Sequence, residues 1–461
     1  MKRITIIILL LIGQITFGQD NIKNIDTFLT SNYNNGKFNG NVLIAEKGNV
    51  IYKKSFGFSN ESTKEKLNEN SIFELASVSK QFTAMAIVIL KEKGKLNYDD
   101  KMSKYIPELS NYGNITVRHL LNHTSGLPHY EEILYTLFDK SKIATNIDII
   151  SIYSKFNPPV LFECNTQWEY SNTGYALLAS IIERVSGMSY GEYLNKVIFT
   201  PLQMTNTSVY RRRYAPRKIA NYAFGYVYSD SLKKYLLPDD VEEEKIVIWQ
   251  DGIVGDGTVN STVIDLLKWD RALYTDKLIS KESSSEIFTS AELNDSTKTG
   301  YGFGWFLEDN GVYGNLVYHG GGWPGYISYI DRHIQNDKTI IILLNYIKND
   351  KYLPILDLRR MLYNIEPIKY IEVANEEKEK FAGEYKSSEG DIVKIIYESG
   401  TLYRITEDGG KNELKATSKT KFHRTEVNPD IFYEFIIKDN KVEKYIITVP
   451  ETKYVGELIR Q

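Results

Sequence analysis

A single cysteine, Cys164, stands among 461 residues, which excludes any disulfide within the chain. Neither sign of charge dominates: 56 Lys and Arg face 59 Asp and Glu, a formal net charge of −3. The electrostatic footprint of a nucleic-acid-binding protein is therefore missing. His119, His123 and His129 lie close in sequence but lack H-E-x-x-H spacing and carboxylate companions, so zinc ligation is not indicated. The acidic run Asp239 to Glu244 has no ligand-like partner spacing and reads as a solvated loop or helix start. No glycine fingerprint follows a strand and opens a helix, which removes a dinucleotide site. No cofactor, no metal and no nucleic-acid partner are expected. What remains is an ordinary globular composition, 42% hydrophobic and 25% charged, with length for more than one domain.

The N-terminus carries Lys2 and Arg3, an apolar run from Ile4 to Ile12, and small or polar residues around Thr16 and Gly18. This is the pattern of an export signal over residues 1–18, with cleavage near Gly18 or Gln19. The apolar run is too short to span a bilayer, and no cysteine offers a lipid attachment point. The expected product is a periplasmic or secreted protein without a stable membrane anchor. Loss of Lys2 and Arg3 would leave it at a net charge of −5.

Asn41–Ala45 and Val50–Phe56 are β-favouring runs separated by Lys47-Gly48-Asn49, which predicts a hairpin. Phe82, Met85, Ala86, Ile89 and Leu90 recur at helical spacing within 77–95, and Gly94 is a plausible stop. Helices and long loops fill the chain to about residue 290. Strand signals return at 301–307, 312–318, 326–331 and 339–344, followed by an apolar helix around 355–363. Strands at both ends of a helical middle predict one antiparallel sheet built from distant segments. After a linker over 366–380, short alternating runs separated by Gly, Asn, Asp and Lys turns predict a small C-terminal β-domain over 381–461.

The stretch His319-Gly320-Gly321-Gly322 suggests the oxyanion loop of a lipase, and Gly187-Met188-Ser189-Tyr190-Gly191 supplies a G-x-S-x-G string. Chain order and context oppose that pairing. A nucleophile elbow joins a strand to a helix, whereas residues 175–185 are helical in period and the glycine run lies downstream rather than upstream. Ser189 with Glu192 reads as a capping box instead.

Ser77-Val78-Ser79-Lys80 is an S-x-x-K tetrad, as are the strings beginning at Ser231 and Ser418. Only Ser77 opens an apolar helix, where residues three apart share a face and Lys80 reaches the Ser77 hydroxyl. A lysine partly desolvated beside a helix N-terminus can have its pKa lowered enough to take a serine proton, and the same helix end can serve an oxyanion. The plain alternative is an N-capping serine and a surface lysine. Tyr170-Ser171-Asn172 adds a Y-x-N element just before a helix, and His319-Gly320-Gly321 lies on a later strand.

In this order, together with residues 115–128 (ITVRHLLNHTSGLP) and 255–262 (GDGTVNST), these motifs resemble the serine β-lactamase-like hydrolases over roughly residues 25–365. That group includes class C β-lactamases, D,D-carboxypeptidases, D-aminopeptidases and related esterases. The resemblance implies an α+β fold: an antiparallel sheet flanked by helices with a helical subdomain, in a domain spanning 19–365. It implies that Ser77 is acylated, that Lys80 acts as base, and that Tyr170 handles protons at the nucleophile and leaving group. Asn172 would contact substrate or orient Lys80. His319, Gly320 and Gly321 would occupy the Lys-Thr-Gly position, and the Gly322 N–H would complete an oxyanion hole with that of Ser77.

A lysine at the position of His319 helps to hold the carboxylate of β-lactams, whereas a histidine is a weaker, pH-dependent cation. The expected substrate is thus a small molecule or peptide, either a D-amino-acid peptide, a cell-wall fragment or an ester. A β-lactamase and a non-catalytic penicillin-binding or sensor protein are the alternatives. The segment around Phe381-Ala382-Gly383-Glu384-Tyr385 resembles the small β-domain appended to many such hydrolases.

Overall fold

Strand Gly40–Glu46 (β1) is buried at every residue but the last, as a central strand covered on both faces must be. It forms the expected hairpin with Asn49–Phe56 (β2). The computed structural model describes residues 21–347, 353–366, 368–388, 390–406, 409–425 and 430–461. The export signal expected over 1–18, and Pro367 of the expected linker, lie outside the described residues. Two compact units are present: the described residues of Met1–Glu308 with Asn315–Ile355, and Asp309–Gly314 with Leu356–Gln461.

In the first unit, Lys80–Glu92 (α1) is buried from Lys80 through Leu90, which identifies a helix enclosed on all sides rather than an amphipathic surface helix. Asn172–Ser186 (α2) packs beside it, and Val263–Ala272 (α3) lies against the sheet. Four later strands complete that sheet: Phe306–Asn310 (β3), Gly314–Trp323 (β4), Tyr326–His333 (β5) and Lys338–Leu344 (β6). The order is β3-β4-β5-β6-β1-β2, so strands from the early and late parts of the first unit meet where Val42 pairs with Ile342. Antiparallel pairing joins β4 to β5, β5 to β6 and β6 to β1.

Two boundaries differ from expectation. The run expected as a strand from Tyr301 begins only at Phe306, because Gly300 and Gly304 take positive φ of 71° and 79° and bend the chain there. The helix expected from Ser77 begins at Lys80, and Ala76–Ser79 forms a tighter 3₁₀ turn ahead of it. Ser189 caps the helix Tyr190–Leu194 in a capping box with Glu192, as its sequence context indicates.

The second unit contains a closed eight-stranded barrel running from Gly383–Ser387 to Tyr454–Arg460. Alternation drives its core: Tyr433, Phe435 and Tyr445 point inward with Tyr385 and Phe422, while Glu434 and Glu443 are exposed. Phe381 stacks on Phe435 with ring centroids 4.5 Å apart. The expected linker contains a short helix, Asn375–Glu379.

Candidate active site

Ser77 sits in a segment held from three sides. Leu75 N–H donates to the Val259 carbonyl at 2.8 Å, Ser79 Oγ accepts from Val259 N–H at 3.0 Å, and Ser328 Oγ donates to the Leu75 carbonyl. Ala76 is forced into the left-handed region at φ 46°. Such strain in a residue with a Cβ persists only where the surroundings over-determine the backbone, and it clusters at functional sites.

One turn of helix brings Lys80 beneath Ser77. Lys80 Nζ donates to Ser77 Oγ at 3.1 Å, to Asn172 Oδ1 at 2.7 Å and to the Asp256 carbonyl at 2.9 Å. The side chain is fully buried, and its three donors are thereby all engaged. The ammonium also lies 4.9 Å from the Tyr170 ring centroid. Asn172, the first residue of α2, donates in turn to Glu131 Oε1.

Tyr170 packs against His123, one of the three histidines for which zinc ligation is not indicated. His123 has a left-handed backbone, φ 61°, its Nδ1 accepts from Ser171 N–H at 3.0 Å, and its ring centroid lies 4.4 Å from that of Tyr170. Burial, and then Lys80, hold its pKa well below the ordinary histidine value, so the ring is neutral. The Tyr170 hydroxyl is buried and has no partner among the described residues.

Strand β4 carries His319 and the glycines past Ser77. A Cβ on Gly321 would lie 2.3 Å from the Leu75 carbonyl and 3.0 Å from the Ser77 nitrogen, so only glycine permits this approach. A Cβ on Gly322 would meet nothing within 4 Å. Gly321→Ala is accordingly expected to destabilise by about 1–3 kcal/mol through overpacking, and to displace Ser77 enough to cost about 10²-fold in rate. Gly322→Ala should fold with unchanged thermal stability. Melting curves and Ser77 labelling rates on the two variants check the contrast.

His319 corrects the expectation of a pH-dependent cation. It is only 1% exposed, with Nδ1 2.6 Å from the Gly320 carbonyl and Nε2 3.0 Å from the Tyr301 hydroxyl. A carbonyl can only accept, so Nδ1 holds the single proton of a neutral ring and Nε2 accepts from Tyr301. Burial, and then Lys80, push its pKa down to about 3. The unfolded chain therefore binds this proton first as pH falls below the ordinary histidine value. Stability contributed by neutral His319 is present above about pH 6.5 and lost progressively as pH drops toward 3. Histidine ¹⁵N shifts should show an Nδ1–H tautomer that stays neutral at pH 5, and His319→Gln should flatten the acid limb of the stability curve.

A cleft of about 520 Å³ opens over Ser77 and Gly322, with Tyr130 and Trp323 in its lining as well. Tyr130 donates to Asp256 Oδ2 at 2.8 Å. Glu74, Glu131, Gln250, Asp251 and Asp256 also line it, and Asp256 lies in the 255–262 stretch. Burial, and then the Asp251 carboxylate, push Glu74 up to about 8 against the opposing pull of Arg213 and Arg212. Burial likewise raises Glu131. Among the described residues no group of three or more His, Cys, Asp or Glu is arranged to hold a metal ion, and no helix is long and apolar enough to cross a membrane.

A buried serine–lysine pair beside a Tyr-x-Asn segment, facing a glycine-rich strand at the junction of a sheet and a helical region, defines a β-lactamase-like fold and site. The Beta-lactamase family model matches residues 28–363, and the chain belongs to that family. It is 39% identical over 439 residues to Penicillin-binding protein 4* of Bacillus subtilis, covering 93% of this chain and 97% of that protein. The octameric penicillin-binding protein homologue from Pyrococcus abyssi superposes with a TM-score of 0.65 at 25% identity, over 95% of this chain and all of that one. D-amino acid amidase from Ochrobactrum anthropi shares the fold, with a TM-score of 0.58 at 22% identity over 76% of this chain and 96% of its own.

Proposed function

We propose that this protein is an exported serine hydrolase that forms an acyl-enzyme on Ser77 and acts on small amides or esters, as a peptidase or esterase. The observation that carries the reading is the 3.1 Å contact between Lys80 Nζ and Ser77 Oγ, with Lys80 anchored by Asn172 and Asp256. Lys80 is the group placed to take the Ser77 proton as Oγ attacks the substrate carbonyl. The backbone N–H groups of Ser77 and Gly322 receive the oxyanion. Tyr170 delivers a proton to the departing amine or alcohol, the carbon–heteroatom bond breaks, and water then resolves the ester on Ser77. The free Tyr170 hydroxyl suits a group that must exchange protons with substrate. Export rests on the pattern of residues 1–18.

The serine–lysine contact also weighs against a purely non-catalytic binding protein. A β-lactamase is disfavoured by His319, whose neutral ring offers no charge to a β-lactam carboxylate. A panel of 4-nitrophenyl esters, amino-acid anilides, D-peptides and a chromogenic cephalosporin tests the assignment. Turnover of an ester or amide that vanishes in Ser77→Ala is expected. Absence of Ser77-dependent turnover across the panel contradicts it.

A further inference from the structure

The chain on either side of Tyr170 is tied to a single residue. Glu169 N–H donates to the His123 carbonyl at 3.0 Å, and Ser171 N–H donates to His123 Nδ1 at 3.0 Å. These are the backbone donors immediately before and after Tyr170, so one histidine brackets the tyrosine. The His123 ring then packs on the phenol, with centroids 4.4 Å apart. Ser171 is anchored in turn, because its Oγ caps α2 by accepting from Gly174 N–H at 3.2 Å.

The backbone of His123 makes both bonds possible. His123 follows the helix Val117–Leu121 and its cap Asn122, and at φ 61° it occupies the left-handed position that ends many helices, where glycine or asparagine is usual. Thr124 N–H closes that motif on the His119 carbonyl at 3.0 Å. Ending a helix does not call for an imidazole, and a histidine is strained here relative to glycine. The side chain is nevertheless buried, with the Tyr175 and Tyr301 ring centroids 5.0 and 4.6 Å away. Because Nδ1 accepts, Nε2 carries the single proton of the neutral ring. The neutral form suits the place, since Lys80 Nζ lies 4.9 Å from the Tyr170 ring centroid and would repel a second cation.

We propose that His123 is the positioning residue for Tyr170, holding the phenol through the backbone bracket and the ring contact where it gives a proton to the leaving group. The inference rests on the acyl-enzyme reading and on Tyr170 as the proton donor. The Tyr170 hydroxyl has no partner among the described residues, so its aim is set by the backbone and ring face that His123 holds. Proton transfer requires hydrogen-bond reach of the departing atom, and a displacement of about 1 Å costs about 10²-fold in rate. A 4-nitrophenolate departs without that proton, whereas an anilide nitrogen needs it. Loss of the bracket therefore falls on substrates with basic leaving groups.

The test uses the full chain with a 4-nitrophenyl ester and a 4-nitroanilide of one acyl group that the wild type turns over in both forms. His123→Phe keeps a ring and removes the Nδ1 acceptor; His123→Asn keeps an acceptor and tolerates the left-handed backbone. Each is checked for native melting and for Ser77 labelling by a fluorophosphonate. In His123→Phe, kcat is expected to fall about 10²-fold for the anilide and less than about 5-fold for the ester, with KM little changed. His123→Asn should show a smaller drop in the same anilide-to-ester ratio. In a Tyr170→Phe background neither replacement should lower the anilide rate further. Equal losses on ester and anilide, a full further loss in the Tyr170→Phe background, or an unchanged ratio in the folded variants overturns the positioning role and leaves the nucleophile standing. A Tyr170→Phe variant with an unchanged anilide-to-ester ratio overturns the proton-donor reading and this inference with it. Labelling that persists in Ser77→Ala overturns the acyl-enzyme reading itself.

Discussion

Lys80→Ala lowers the rate of Ser77 acylation by about 10²–10⁴-fold, the range expected when a positioned general base is removed. The effect arises from one contact, 3.1 Å between Nζ and Ser77 Oγ, and from the two acceptors that hold Nζ there. Lysine is the base present: His123 faces the Tyr170 ring, and His319 is tied to Gly320 and Tyr301. Truncation also leaves Asn172 Oδ1 and the Asp256 carbonyl without their donor. Lys80→Met keeps the volume and separates lost packing from lost proton transfer. Stopped-flow acylation with an activated ester measures the loss; a decrease of less than about 10-fold in both variants would mean that another group serves as base.

Asp270→Ala destabilises the first unit by about 3–5 kcal/mol, the cost of stranding a buried charge. Asp270, on α3, is fully buried and binds Arg332 of β5 through Nε at 2.7 Å, while Thr339 of β6 donates to its other oxygen at 3.0 Å. Arg332 is itself only 1% exposed. Removal of the carboxylate leaves a guanidinium with no counter-charge between helix and sheet. The double replacement Asp270→Leu with Arg332→Met should recover most of the loss, because apolar groups of similar volume substitute well for a buried pair. The exposed Lys53–Glu69 pair serves as a control whose disruption leaves the melting curve nearly unchanged. Urea unfolding followed by tryptophan fluorescence reads all three.

Local signals made much of this molecule legible. Ser77 and Lys80 are three residues apart on one turn, so their meeting follows from helical geometry. The hairpin of β1 and β2, the return of strands after residue 300, and the capping role of Ser189 follow from period and turn chemistry. Less accessible were properties set by what packs from far along the chain. Glu74, Gln250 and Asp251 have no motif of their own, and only the folded cleft brings them beside Ser77. His319 looked like a substitute cation until Tyr301 and the Gly320 carbonyl enclosed it. His123 lies within residues 115–128, yet its place beside Tyr170 depends on a left-handed backbone that no local pattern announces. In the C-terminal unit, alternation identified several strands, while closure into a barrel depends on the pairing of its first and last strands.

The most direct test of the account is to treat the protein with a fluorophosphonate and locate the adduct by peptide mass mapping. The account predicts one stoichiometric adduct on the peptide bearing Ser77, absent from Ser77→Ala and slowed in Lys80→Ala. An adduct on another serine, or equal labelling of wild type and Ser77→Ala, would contradict it.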